Sequence, residues 1–150
     1  MSAILELVAG HRVVNFEAAG IVFEQGTASG PLWVLVHGEV EVLRDNVRVA
    51  RASEPGNIFG EMSVLLGGCH HVTIRALNPC SFVAVENPRR FLESSAEASL
   101  HLAALLAARL NTLNKYLVDL KQQYEGHDHI GMVDEVLNTL MHHQPRGPGR

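Results

Sequence analysis

Phe59-Gly60-Glu61-Met62-Ser63-Val64-Leu65-Leu66, followed within ten residues by Thr73-Ile74-Arg75-Ala76, decides how this chain is read. A strand ends at Phe59, Gly60 lets the backbone turn, and a short helix begins with an acid in its first turn. Free amides at a helix start, with a carboxylate beside them, suit a phosphorylated ligand, so function is expected here.

Upstream and just downstream of this stretch the pattern is β. Short runs at Val13 to Phe16, Ile21 to Glu24, Leu32 to His37, Val40 to Leu43, Val47 to Arg51, Val72 to Ala76 and Ser81 to Val85 are separated by turn residues, which predicts an antiparallel roll. The alternation in Trp33-Val34-Leu35-Val36-His37-Gly38-Glu39-Val40-Glu41-Val42 turns polar after Gly38, as in a hairpin with one buried face. Trp33 is read as core.

After Pro88 the pattern becomes helical. From Ala103 the apolar positions Leu106, Leu110, Leu113, Leu117, Leu120 and Tyr124 recur in alternating steps of three and four, the seam of a two-stranded coiled coil. A homodimer helix is predicted; packing of the stripe on the chain's own roll is the alternative. Gly126 should end this helix, and Asp128 can cap a shorter one carrying Met132, Val133, Val136, Leu137, Leu140 and Met141. The fold class expected is α+β, mainly β: a double-stranded β-helix, jelly-roll-like, with flanking helices and a long C-terminal dimerisation helix. Residues 1–124 form the sensor, 125–143 a short helical extension and 144–150 a disordered tail.

Composition narrows the functional classes. The 150 residues suit one domain, and 47% hydrophobic residues suffice for a core. A net charge of −4 with scattered Lys and Arg leaves no basic face for nucleic acid. Two cysteines, Cys69 and Cys80, are too few for a disulfide framework, and no apolar run approaches a membrane span. Met1 to Gly10 lacks the features of a secretion signal, so the cytoplasm is the expected location.

The residues also carry a resemblance. Gly20-Ile21-Val22-Phe23-Glu24-Gln25-Gly26, Leu32 to Val42, Gly56-Asn57-Ile58-Phe59-Gly60-Glu61 and Thr73-Ile74-Arg75-Ala76 together resemble the cyclic nucleotide-binding domain. That domain occurs in the catabolite activator and related bacterial regulators, in kinase regulatory subunits and in gated channels. The resemblance covers nearly the whole chain and implies a phosphate-binding cassette between Phe59 and Ala76. It also implies cyclic AMP or a related cyclic nucleotide as ligand. Phe59, Gly60, Glu61, Met62, His70, His71 and Val72 are the implied ligand-binding residues, Glu61 matching the glutamate that accepts the ribose 2'-hydroxyl.

The chain departs from that pattern at two places. Where the family places an arginine against the cyclic phosphate stands His70, and His71 follows it. Histidine offers fewer donors than guanidinium and titrates near pH ~6.5, so binding is expected to be weaker by about 2 to 3 kcal/mol. If His70 replaces the arginine, affinity should rise as pH falls from about 8 to about 6. The other reading makes both histidines exposed loop residues of a domain that has lost its ligand. On the long helix, the threonine-serine pair that reaches the purine in the catabolite activator becomes Leu113-Asn114, leaving Asn114 as a candidate base contact.

Asp128 to Val133 and the helix after it resemble the first helix of the DNA-binding domain of those regulators. Between Met141 and Arg150 there is no room for the rest of such a domain, so a sensor without direct nucleic-acid binding is expected. Metal or haem binding by Cys69, His70, His71, His127, His129, His142 and His143 was weighed against their unconvincing spacing, and no metal is expected. No catalytic constellation can be placed, so the chain is read as no enzyme. The function expected is that of a ligand-sensing regulatory domain that binds a cyclic nucleotide and signals through a dimer helix to a downstream partner. The alternative is a degenerate copy of the fold that dimerises, mediates an interaction or senses another small molecule.

Overall fold

A computed structural model describes residues 3–123 and 130–142. The elements are α1 (Ala3–Leu7), β1 (Arg12–Phe16), β2 (Ile21–Phe23), β3 (Leu32–His37), β4 (Val40–Arg44), β5 (Val47–Ala52), β6 (Ile58–Phe59), α2 (Glu61–Leu66), β7 (Thr73–Ala76), β8 (Cys80–Val85), α3 (Pro88–Ser94), α4 (Ala96–Gln123) and α5 (Ile130–His142). Tertiary contacts divide the chain into two compact units between Ser99 and Leu100, within α4.

The first unit is built from two four-stranded antiparallel sheets, ordered β1-β8-β3-β6 and β2-β7-β4-β5. Phe23, Trp33, Leu35, Val40, Phe59, Ile74, Ala76 and Phe82 form its core. Phe82 is fully buried, and Phe16, Trp33 and Phe59 meet it edge-on at centroid distances of 5.8, 6.0 and 6.2 Å. Each such burial is worth about 1.5–3 kcal/mol. Turn chemistry explains the strand order. At the β3–β4 hairpin Gly38 has φ +104, and a Cβ there would lie 2.6 Å from the Cys80 Sγ, so only glycine fits. Between β4 and β5, Asp45 and Asn46 adopt φ 52 and 63, matching a two-residue turn of the primed type.

Glu41 departs from the sequence reading. The alternation after Gly38 places it on the polar face, yet it is 2% exposed. Its carboxylate accepts from Arg48 Nε at 2.9 Å and from Arg75 Nε at 2.7 Å, with both arginines reaching it across the β5-β4-β7 sheet. Arg48 first, then Arg75, hold the carboxyl below its ordinary range. A buried acid is tolerated here because both oxygens are paired with guanidinium groups.

The second unit comprises α4 from Leu100 onward and α5. The helix starts at Ala96, seven residues before the predicted seam begins. Along the seam Leu110 and Leu113 are each 45% exposed, while Leu106, Leu117 and Leu120 are half-buried. Tyr124, Gly126, Asp128 and the tail from 144 lie outside the described residues. Among the described residues, no helix is long and apolar enough to cross a membrane.

Candidate functional site

Strand β6 aims the backbone at the site. Ile58 and Phe59 pair with Val34 and Trp33, and the Leu35 amide donates to Asn57 O at 2.8 Å, so the segment arrives at Gly60 with its register fixed. Gly60 then turns at φ 86, ψ 2, the left-handed region that disfavours any residue with a Cβ. Space adds a second constraint: a Cβ there would lie 3.1 Å from Pro31 O and 3.6 Å from atoms of Phe23 and Trp33. The turn places Glu61 at the first position of α2, 7% exposed. Met62 is half-buried beside it.

The return segment, residues 67–72, is stitched to the loop after β2. Gly26 N donates to His70 O and His70 N donates to Thr27 O, both at 2.9 Å, beside a bridge between Ala28 and Cys69. The Gln25 amide donates to Thr73 Oγ1 at 2.8 Å. These bonds, not strand pairing, fix where the two histidines sit.

His70 is buried, 6% exposed, with its ring stacked on Phe23 at 4.0 Å between centroids and 17° between planes. Its Nδ1 lies 3.3 Å from Ser63 Oγ on α2. Ser63 Oγ also lies 3.1 Å from Gly60 O and accepts from Ser29 Oγ at 2.9 Å, so it ties the imidazole to α2 and to the loop after β2 in one polar network. Burial, and secondarily the nearby His71, push the His70 imidazole below its ordinary range, consistent with a neutral ring. The exposed-loop reading of His70 is thereby corrected: its backbone bonds and the Phe23 face draw it inward. His71 is half-buried, and its Nε2 is buried without a hydrogen-bond partner among the described residues.

Between Phe59 and Ala76 the one arginine is Arg75, and no lysine occurs. Its guanidinium is committed to Glu41. The anionic part of a ligand would therefore meet imidazoles and backbone donors instead of an arginine fork. Phe59, Gly60, Glu61, Met62, His70, His71 and Val72 all belong to the first unit, gathered around α2 and its return segment. Asn114, half-buried on α4, belongs to the second unit. Sequence reasoning missed Phe23 and Ser63 as partners of His70, and Ser29 as the partner of Ser63. A serine two residues into the helix gave no signal that it would point at a histidine seven residues on. Among the described residues, no group of three or more His, Cys, Asp or Glu could hold a metal ion.

The family model described as the cyclic nucleotide-binding domain matches residues 13–93, more than half of the chain. No curated protein sequence matches significantly. Among solved structures, the Thermus thermophilus catabolite activator protein is 21% identical, with 92% of this chain and 82% of that one covered and a TM-score of 0.63. A structure described as Sp-2Cl-cAMPS bound to PKAR CBD2 is 19% identical, with 80% of each chain covered and a TM-score of 0.60. A third, from work on a cyclic-GMP-dependent signalling pathway of bacterial phytopathogenesis, is 19% identical, with 75% and 95% covered and a TM-score of 0.60. The eight-stranded antiparallel roll with a long helix at its C-terminal end is the fold they share.

Proposed function

This chain belongs to the cyclic nucleotide-binding domain family, and from that membership we propose that it senses a cyclic nucleotide, cyclic AMP foremost, in the cassette between Phe59 and Ala76. The observation that carries the reading is Glu61. A glutamate held 7% exposed at the start of α2, directly behind a glycine whose left-handed turn strains any other residue, supports a carboxylate that accepts a sugar hydroxyl. Structures resembling this one include a protein holding Sp-2Cl-cAMPS and one from a cyclic-GMP-dependent pathway, which supports the ligand class.

Binding is weak in this proposal. No arginine is at hand, and one nitrogen of the His70 ring is already engaged with Ser63. The unpartnered Nε2 of His71 is a buried polar atom whose pairing would recover about 1–3 kcal/mol, and a bound anion is one source of that partner. Occupancy shifts a population: the ligand favours one arrangement of the cassette, and the long helix reports it to a downstream partner. The exposed leucines at 110 and 113 support a homodimer formed along α4. The chain acts as a sensor without catalysis and without contacting nucleic acid itself. Free Cys69 and Cys80 agree with a reducing cytoplasm.

Calorimetric titration of the chain with cyclic AMP and cyclic GMP, alongside Glu61→Gln, is the test. One saturable site per chain, weakened about tenfold or more by the substitution, is expected. Absence of heat, together with a melting temperature that millimolar nucleotide leaves unchanged, would end the proposal. One observation favours a second reading: the His70–Phe23 stack occupies space beside α2. On that reading the domain is a dimerisation or interaction module without a ligand, and the same null titration would favour it.

A further inference from the structure

A second concave site lies on the other side of Ser63. Ser63 and Val64 of α2, Gly67 and Gly68 after it, Ser29, and Asn87 to Arg90 at the start of α3 line an open cleft of about 550 Å3. That volume suits a small molecule. Ser63, Val64, Gly67 and Gly68 fall within the cassette's span, but Gly60, Glu61, Met62, His70 and His71, the residues proposed to hold the nucleotide, do not line it.

Its chemistry is unbalanced toward anion binding. The two carboxylates in its walls each have a cation: Glu86 pairs with Arg12 at 2.6 Å, and Glu93 with Arg89 at 3.2 Å. Arg90 has no ion pair among the described residues, which leaves one guanidinium fork uncommitted. Asn87 precedes α3 yet makes no side-chain cap bond, so its carboxamide is also available. Pro88 and Val64 add apolar wall for a carbon skeleton.

We infer that this cleft is a second effector site, which binds a small organic anion, a carboxylate or a phosphate ester, through Arg90, Asn87 and Ser29. The inference does not depend on the cassette holding a nucleotide. A physical link to His70 is nevertheless present: Ser29 Oγ donates to Ser63 Oγ, and Ser63 Oγ lies within hydrogen-bond distance of His70 Nδ1 at 3.3 Å. A ligand that takes the Ser29 hydroxyl breaks the first bond and leaves Ser63 to rearrange, so occupancy of the cleft is felt at His70.

The test titrates the full chain with glycerol 3-phosphate and, separately, with succinate, while the His70 imidazole signals are followed by NMR. Saturable binding of either probe, weakened about tenfold or more by Arg90→Gln and retained by Glu61→Gln, is expected. The probe that binds identifies the ligand class. The His70 signals should shift with occupancy in the wild type and cease to do so in Ser63→Ala. Binding that fails to saturate by about 10 mM, or that Arg90→Gln leaves unchanged, overturns the site. Loss in Glu61→Gln reassigns the probe to the cassette and likewise overturns it. Saturation with motionless His70 signals overturns the link.

Discussion

The rings of His70 and Phe23 lie face to face, 4.0 Å apart and 17° from parallel. At residue 70, which the resemblance makes the anchor position, this chain carries a packed ring within hydrogen-bond reach of Ser63, its proton affinity lowered by burial. A substitution there therefore acts on stability and on binding at once.

His70→Arg separates the two effects. Burying a guanidinium against Phe23 without a counter-charge is unfavourable, so the ligand-free variant should melt several degrees below the wild type. A bound cyclic phosphate supplies the missing charge. Millimolar cyclic AMP should then raise the variant's melting temperature more than the wild type's, which thermal scans with and without nucleotide would show. Equal shifts in both proteins would contradict the assignment of residue 70 to the anchor position.

The same histidine sets a pH dependence. Its proton affinity is lowered in the folded chain, so the unfolded chain takes up the proton first. Stability is full above the ordinary imidazole value of 6.5 and falls as pH drops through the lower folded value. Any gain in anion affinity from a charged His70 is displaced in the same direction, below the window expected from an unperturbed ring. Glu41 adds a separate loss further down: its pairing with Arg48 and Arg75 is complete above the ordinary carboxyl value of 4.5 and is lost as acid protonates it. Urea midpoints should decline in two stages, and His70→Gln should remove only the upper stage.

Glu41→Gln tests the clamp at neutral pH. It keeps the shape but leaves Arg48 and Arg75 facing an uncharged amide at the centre of the second sheet. The melting temperature should fall by several degrees, and adding Arg48→Gln should cost less than it does in the wild type, since the partner is already gone. Additive losses in this cycle would show that the arginines serve the sheet through packing alone.

The β-roll was legible in the sequence because its signals are local: strand-length alternation, turn residues at the hairpins, and a glycine ahead of an acidic helix start. The turn at Gly60 and the acidic start of α2 at Glu61 were legible for the same reason. Residue 70 was not. Its environment comes from Phe23 on β2, Ser63 on α2 and the loop bonds at Gly26 and Thr27, contacts that no periodicity encodes. Glu41 failed differently, since alternation gives the face a side chain takes but not the two arginines that make burial tolerable there. On α4 the heptad spacing located an apolar seam, and the structure adds that Leu110 and Leu113 remain substantially exposed.

Gly60→Ala should destabilise the chain by about 1–3 kcal/mol, because φ 86 is strained for alanine and its methyl would press on Pro31 O. Trp33, the single tryptophan, has its Cδ1 3.6 Å from where that methyl would sit. Its fluorescence should shift in the folded variant, and the same probe reports ligand in the wild type. An unchanged urea midpoint would mean that the turn relaxes.

The exposed leucines of α4 bear on assembly. Leu110 and Leu113, each 45% exposed and three residues apart, sit where the three-four spacing places the seam of a two-helix coil. Water contact over such a stripe is unfavourable, and pairing with a second copy removes it by about 25 cal/mol for each Å2 covered. Sedimentation equilibrium should therefore give twice the 16.4 kDa chain mass for the wild type. Leu110→Asp with Leu113→Asp should give the single-chain mass with helix content retained, since aspartate on an exposed helix face costs under about 1 kcal/mol per residue in intrinsic propensity. A wild type that sediments as a single chain at ~100 μM would place the dissociation constant well above that concentration, an association weaker than about 5.5 kcal/mol, and would remove α4 as the dimer interface.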